Sequence, residues 1–263
     1  MKEQINKIPA EETRQRVDKL KETDNDYEDS IHKMADKEDK FREVLKNKDI
    51  GREAANEIAN IYSEEVLEKI EAYKERWIDN LTGLRNKNAL KEEVPQLLSM
   101  GKRQNNGASF LMVDFDYFKK VNDELGHPAG DQALKKIVEI IKSQVRSADM
   151  VYRFGGEEFA IFLSNTASAQ AAELAERIRA AVEQTGIELV DDKGQKINLN
   201  KTVSIGCVGT DQLEEWSRYT EPEAKNFLEL IIKDADQALY EAKQTGRNRV
   251  MVHGENQEEP EIK

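Results

Sequence analysis

The sequence predicts a mixed α/β domain preceded by a long helical segment. Three features lead there. Ser109-Phe110-Leu111-Met112-Val113 is an unbroken apolar run, the pattern of a strand buried on both faces. Met150-Val151-Tyr152 and Phe159-Ala160-Ile161-Phe162-Leu163 are two further apolar runs flanking Gly155-Gly156, which reads as a hairpin. Gly-Gly suits a tight turn because it tolerates positive φ at both central positions. Helical stretches then follow: Ser168–Gln184 is expected to be one helix, and Lys243 and Arg247, four apart, are expected to lie one turn from each other on one face near the end of a second amphipathic helix.

Residues 1–78 are of a different kind. Almost half of them are charged, and Pro9 and Gly51 are the only helix breakers. Such a segment cannot enclose a globular core, but it can form long amphipathic helices. Leu20, Tyr27, Met34 and Phe41 recur every seven residues, with Val17, Ile31 and Leu45 on the adjoining seam. Asp24 and Glu38 interrupt that second seam. A further stripe runs through Ile58, Tyr62, Val66, Ile70, Tyr73 and Trp77. Two helices are expected, at about 11–46 and 52–78, as a hairpin or a kinked stalk; a plain solvated spacer is the alternative. At the other end, residues 253–263 read as a polar, disordered tail. Gly209–Phe227 reads as a long loop, and its composition suggests no role.

Composition narrows the partners. The chain has 263 residues, enough for one domain and an accessory segment. A net charge of −12 disfavours nucleic acid and anionic membrane as partners. No apolar run approaches the roughly 20 residues a membrane helix needs. The N-terminus Met1-Lys2-Glu3-Gln4-Ile5-Asn6-Lys7 lacks the apolar core of a signal peptide. The single Cys207 alternates with Val203 and Ile205, which suggests a buried strand thiol. A cytoplasmic location is expected from these features.

Two acidic clusters suggest the chemistry. The apolar run at 109–113 ends in Asp114-Phe115-Asp116, and the hairpin carries Glu157-Glu158. Carboxylates at a strand end and at an opposing turn suit hard cations such as Mg²⁺, which take one or two carboxylates plus substrate phosphates. Two such ions can clamp the attacking and leaving oxygens of an in-line displacement. Lys119, five residues past Asp114, is a candidate phosphate contact as a point charge. Read without wider context, Asp114 also fits a strand-end cap, and the glutamates fit a solvated hairpin.

The order of these blocks resembles the GGDEF family of diguanylate cyclases. Asp79-Asn80-Leu81-Thr82-Gly83-Leu84-Arg85-Asn86 is similar to the family's opening block. Asp114-Phe115-Asp116-Tyr117-Phe118-Lys119-Lys120-Val121-Asn122-Asp123 and Gly126-His127-Pro128-Ala129-Gly130-Asp131 follow in order. The signature stands as Gly155-Gly156-Glu157-Glu158-Phe159, and Ala235 to Asn248 closes the series. The similarity spans about 79–252 and implies a mainly antiparallel central sheet flanked by helices, like the palm of nucleotide cyclases and polymerases. Phe115, Tyr117 and Lys87 depart from the commoner family residues, and none of these departures removes a catalytic side chain.

The resemblance implies condensation of two GTP into cyclic di-GMP and two pyrophosphates by a homodimer. It implies two Mg²⁺ or Mn²⁺ ions per site, held by Asp114, the Phe115 carbonyl and Glu157, with Glu157 helping to deprotonate the 3′-hydroxyl. A carboxylate near pKa ~4.3 is a weak base for an alcohol, so the metal does most of the acidifying. Glu158 is a second acidic contact. Asn122 and Asp131 match the guanine readers, with His127 between them, and a carboxylate suits guanine's N–H donors. Lys243 and Arg247 match the contacts to the terminal phosphates; both also suit a plain cationic helix terminus. Arg146 and Asp149, in a motif that ends six residues before Gly155, match the family's R-x-x-D product site, with Arg177 a secondary contact or a solvated helix residue. The charged helices are the expected regulatory element, open to a partner protein. The rival readings are a silent cyclic di-GMP receptor and a helical scaffold; the intact Asp114, Glu157, Lys243 and Arg247 speak against the first.

Overall fold

A computed structural model describes residues 66, 68–190, 194, 196–218, 220 and 223–254. The expected heptad helix at 11–46, most of the helix at 52–78, and the tail from 255 onward lie outside the described residues. The chain divides into two compact units, Met1–Leu84 and Arg85–Lys263.

Within the first unit, residues 68–77 are helical. Val66, Ile70 and Ile78 are buried in one cluster, with Tyr73 and Trp77 packed against it. The block Asp79–Leu84 then closes on itself. Asp79 accepts from the Thr82 amide (2.8 Å) and hydroxyl (2.6 Å), and Gly83 takes φ 69°. Short Asp and Thr side chains bonding nearby backbone, followed by a glycine free to go left-handed, are what such a turn requires.

The second unit is built on a six-stranded sheet ordered β1-β3-β4-β2-β7-β8. Its strands are β1 (Arg85–Asn86), β2 (Ala108–Phe115), β3 (Met150–Gly155), β4 (Glu158–Ser164), β7 (Val203–Gly209) and β8 (Val250–Val252). β2, β3, β4 and β7 pair antiparallel, while the edge strands β1 and β8, of two and three residues, pair parallel. The mainly antiparallel expectation holds. All eight residues of β2 are buried, because β4 and β7 flank it and helices cover the sheet. A two-strand hairpin, β5 (Ile187–Val190) and β6 (Lys196–Leu199), stands apart from this sheet.

Among the described residues of this unit, six α-helices accompany the strands: α1 (Lys87–Arg103), α2 (Phe118–Leu125), α3 (His127–Gln144), α4 (Ser168–Gln184), α5 (Glu214–Arg218) and α6 (Ala224–Gln244). α4 has the boundaries its pattern predicts. Its N-terminus is capped from outside, as Asp211 accepts from the Ser168 amide (3.0 Å) and hydroxyl (2.8 Å). α6 buries Phe227, Leu228, Ile231, Ala235, Ala238, Leu239 and Ala242 on one face. The small residues along that face let it lie directly on β7. At Gly206 a Cβ would run into the Ala235 carbonyl and the Leu239 backbone, so glycine is needed for the approach. Cys207 is buried in β7, as its alternation suggests.

Among the described residues, much of the long loop expected at 209–227 is regular structure. It holds a 3₁₀ turn at Thr210–Gln212 and helix α5, and Phe227 already belongs to α6. Trp216 packs on Phe227 with ring centroids 5.4 Å apart, and the Lys102 ammonium lies over the indole. These aromatic contacts between distant residues fold the segment, which explains why its composition alone reads as loop.

Candidate active site

The register of the sheet brings the two acidic clusters together. Asp114, next to last in β2, is the direct cross-strand partner of Glu158, the first residue of β4. The Phe115 amide donates to the Glu157 carbonyl at 3.2 Å, which fixes the β3–β4 turn against the end of β2. The turn differs from the expectation of two central glycines. Gly155 ends β3 opposite Glu158 after a register shift, and Gly156 and Glu157 form the connection, with only Gly156 at positive φ (38°). The strand irregularity uses one glycine and the turn uses the other. Arg153 secures the arrangement by donating to the Gly156 carbonyl through Nε (3.1 Å) and NH2 (2.7 Å).

Asp114 is only 7% exposed. Burial raises its pKa from 3.8 to about 6; Lys243 opposes the rise, and Glu157 and Glu158 reinforce it. The Lys243 ammonium lies 2.8 Å from the Asp114 carboxylate. A buried carboxylate with two more acids beside it favours cations, and the hard oxygen donors match Mg²⁺ or Mn²⁺ in kind. Among the described residues, no group of three or more His, Cys, Asp or Glu side chains is arranged to hold a metal by itself. A site of carboxylates and a main-chain carbonyl, completed by substrate oxygens, is the form that suits Mg²⁺. The residues present fit the ion.

Lys243 and Arg247 do not share a helical face. α6 ends at Gln244, and Arg247 sits beyond it at φ 61°, after Gly246 at φ 125°. The glycine reverses the chain, and the Arg247 amide donates back to the Ala242 carbonyl (2.9 Å). From there the guanidinium stacks over Tyr117, 4.7 Å from the ring centroid. Lys119 lies on the first turn of α2 and is exposed.

Asn122, on α2, packs against α3 so closely that a Cβ at Gly130 would meet its side-chain oxygen. Asp131 follows Gly130 on α3, and His127 opens that helix; both are exposed. A short helix, Gly126 at φ 83° and a second helix thus set the three proposed base readers around one corner. The neighbouring Gln132 bonds both the amide (3.1 Å) and the carbonyl (2.9 Å) of Val190, mooring the β5–β6 hairpin to α3.

A separate cleft of about 180 Å³ is lined by Arg146, Asp149 and Arg177, with Thr166, Gln170 and Glu173. Arg146 and Asp149 form a tight turn: the Arg146 amide donates to the Asp149 carboxylate (2.8 Å), and the Asp149 amide to the Arg146 carbonyl (3.0 Å). Arg177 reaches from α4 to the Gln144 carbonyl at 2.6 Å. The three residues proposed for product binding face one cleft.

Sequence reasoning gave no role to Asp116, Asn248 or Arg153. Asp116 is 1% exposed and accepts from the hydroxyls of Thr202 and Ser204 (both 2.7 Å) and from the Asn248 amide (3.1 Å). Asp116 lies one residue beyond the end of β2, and its partners are far away in the sequence.

Comparison with known proteins identifies the family and its fold. The family model described as diguanylate cyclase, GGDEF domain, matches residues 76–249. Diguanylate cyclase A of Treponema denticola is 41% identical over 167 residues, covering 64% of this chain and 40% of the relative. The chain therefore spans about two fifths of that relative's length. Among solved structures, the coiled coil and GGDEF domain of DgcB from Caulobacter crescentus, in complex with c-di-GMP, has a TM-score of 0.62 at 25% identity. It covers 76% of this chain and 98% of that one. The diguanylate cyclase SiaD from Pseudomonas aeruginosa, in complex with its activator SiaC, has a TM-score of 0.57 at 26% identity. It covers 90% of this chain and 83% of that one. With its signature residues at one end of the central sheet and the family model spanning most of the second unit, the chain belongs to the GGDEF-domain family of diguanylate cyclases.

Proposed function

We propose that the chain condenses two GTP molecules into cyclic di-GMP, acting as a homodimer through residues 79–252. The observation that carries this reading is the juxtaposition of Asp114 with Glu158 and Lys243 at the end of β2, with the Gly156–Glu157 turn fixed beside it. Each 3′-oxygen attacks the α-phosphorus of the other nucleotide. Two P–O bonds form, two bonds to the leaving pyrophosphates break, and the two hydroxyl protons are released. Asp114, the Phe115 carbonyl and Glu157 would hold two divalent cations, Mg²⁺ or Mn²⁺, which when bound acidify the 3′-hydroxyl and offset phosphate charge. Glu157 accepts the hydroxyl proton, and Glu158 adds a second acidic contact. Asn122 and Asp131, with His127, bind the guanine edge. Lys243 and Arg247 bind the terminal phosphates, and Lys119 supplies a further positive charge nearby.

Cyclic di-GMP is also the proposed inhibitor, bound at Arg146, Asp149 and Arg177. The cleft these residues share supports that assignment, as does the solved relative in complex with c-di-GMP. One domain carries one substrate, so turnover needs two domains facing each other, and pairing them makes the encounter effectively intramolecular. We assign residues 1–78 to that pairing and to the binding of a regulatory protein. The likeness to a cyclase solved with its activator extends over 90% of this chain and so reaches into those residues. No helix among the described residues is long and apolar enough to cross a membrane. A cytoplasmic protein with no nucleic-acid or membrane partner fits this reading.

The test is purified protein incubated with GTP and Mg²⁺, with nucleotides separated afterward. Cyclic di-GMP and pyrophosphate are expected from the wild type and none from Glu157→Gln. Turnover by a well-folded Glu157→Gln protein equal to wild type would refute the mechanism.

A further inference from the structure

The segment carrying Lys243 and Arg247 leaves its helix through three consecutive residues at positive φ, a conformation that Arg247 disfavours. Gly246, Arg247 and Asn248 have consecutive φ values of 125°, 61° and 49°. For residues with a Cβ this region is crowded, and it persists only where the surroundings hold it. Two independent sets of bonds hold it here. On the backbone side, the Asn248 amide donates to Asp116 at 3.1 Å, and the same carboxylate takes the Thr202 and Ser204 hydroxyls. A carboxylate this deeply buried needs its donors, so opening the turn would leave Asp116 short of one. On the side-chain side, the Asn248 Oδ1 accepts from Arg179 (2.6 Å) and its Nδ2 donates to Glu183 (2.6 Å). Arg179 offers only donors and an ionised Glu183 only acceptors, so the side-chain amide has one orientation. Arg179 is itself held by Glu176 at 2.9 Å and by Glu183 at 2.8 Å.

Three contacts thus join the Asp114–Tyr117 segment to the 243–248 segment: Lys243 to Asp114, the Asn248 amide to Asp116, and Arg247 to Tyr117. We propose that Asp116 and Asn248, braced by Arg179 and Glu183 of α4, form a clasp that positions Arg247 and Lys243 for the substrate's β- and γ-phosphates. This rests on the nucleotide reading given above. Asp116 and Asn248 are positioning residues in this scheme; they touch no substrate. Glycine at 248 would keep the left-handed backbone and the bond to Asp116 while releasing the braces. The arm would then sample other positions, and contacts to the distal phosphates would weaken while contacts to the base remained.

The experiment uses the full chain with Mg²⁺ and compares a non-hydrolysable GTP analogue with GMP, which lacks the distal phosphates. Asn248→Gly should bind the analogue about tenfold more weakly, the size expected for losing one charge-assisted contact. GMP affinity should stay within about twofold, and the kinetic loss should fall mainly in KM for GTP. Arg179→Met, which keeps the aliphatic stem and removes one brace, should weaken analogue binding about three- to fivefold with the same indifference to GMP. A clasp with a purely structural role would lower the melting temperature and weaken both ligands alike, and that outcome overturns the proposal. So does analogue affinity within about twofold of wild type in both variants. If Asn248→Gly does not fold, Arg179→Met decides alone. Wild-type protein that binds the analogue no more tightly than GMP would instead refute the nucleotide reading, and the clasp with it.

Discussion

Replacing Asp114 with Asn should make the metal-free protein more stable while ending its activity. In the fold, burial and the neighbouring glutamates outweigh Lys243, and the carboxyl pKa rises from 3.8 to about 6. At about 1.36 kcal/mol per unit, ionised Asp114 costs the fold up to about 3 kcal/mol at pH 8. The sign follows from the direction of the shift. Stability contributed by protonated Asp114 is fully present below about pH 4 and is lost as pH rises through about 6. Asn resembles the protonated acid and never carries the charge. Chemical denaturation in EDTA should therefore show Asp114→Asn more stable by up to about 3 kcal/mol at pH 8, by roughly half that at pH 5, and by almost nothing below pH 4. Adding Mg²⁺ at pH 8 should then raise wild-type stability and narrow the gap, because only the wild type keeps the carboxylate ligand. No cyclic di-GMP should form in the variant. Equal stability of the two proteins at pH 8, or a gap that persists on acidification, would refute the account of Asp114 as a buried, unfavourably ionised ligand.

Three further outcomes are expected. Arg146→Ala should relieve inhibition by cyclic di-GMP without removing turnover; equal product affinity in the two proteins by calorimetry would overturn the cleft assignment. Gly206→Ala should cost about 1–3 kcal/mol in thermal unfolding and weaken GTP binding, since the added Cβ pushes α6, and Lys243 with it, off β7. Removal of residues 1–78 should lower specific activity steeply in dilute enzyme, with partial recovery at high concentration; full activity across a hundredfold dilution would reduce those residues to a spacer.

What could be read from the sequence was mostly local. The unbroken apolar run at 109–113 identifies β2 because a strand covered on both faces has no polar positions to alternate with. The period of α4 predicts both its ends, since its stripe stays on one face from Ser168 to Val182. Asp116 was opaque for the opposite reason. Its partners Thr202, Ser204 and Asn248 lie 86, 88 and 132 residues away, and no pattern near Asp116 points to them. The misplacement of Arg247 on a helical face was avoidable, because Gly246 is an ordinary helix-ending residue. The division of labour between Gly155 and Gly156 was not, because it depends on the register shift between Arg153 and Gly155.

The short parallel strands that end the central sheet bear on how copies of this domain can meet. An edge of two or three residues offers few free N–H and C=O groups to template a neighbouring chain. Growth of the sheet from one molecule into the next is therefore disfavoured. Two domains brought face to face would instead meet through loops, helices and the small β5–β6 hairpin, whose contacts are made and broken side chain by side chain. If each copy supplies one of two substrates, as proposed, an encounter of this kind would come apart after turnover, and whatever sets its lifetime would set the output.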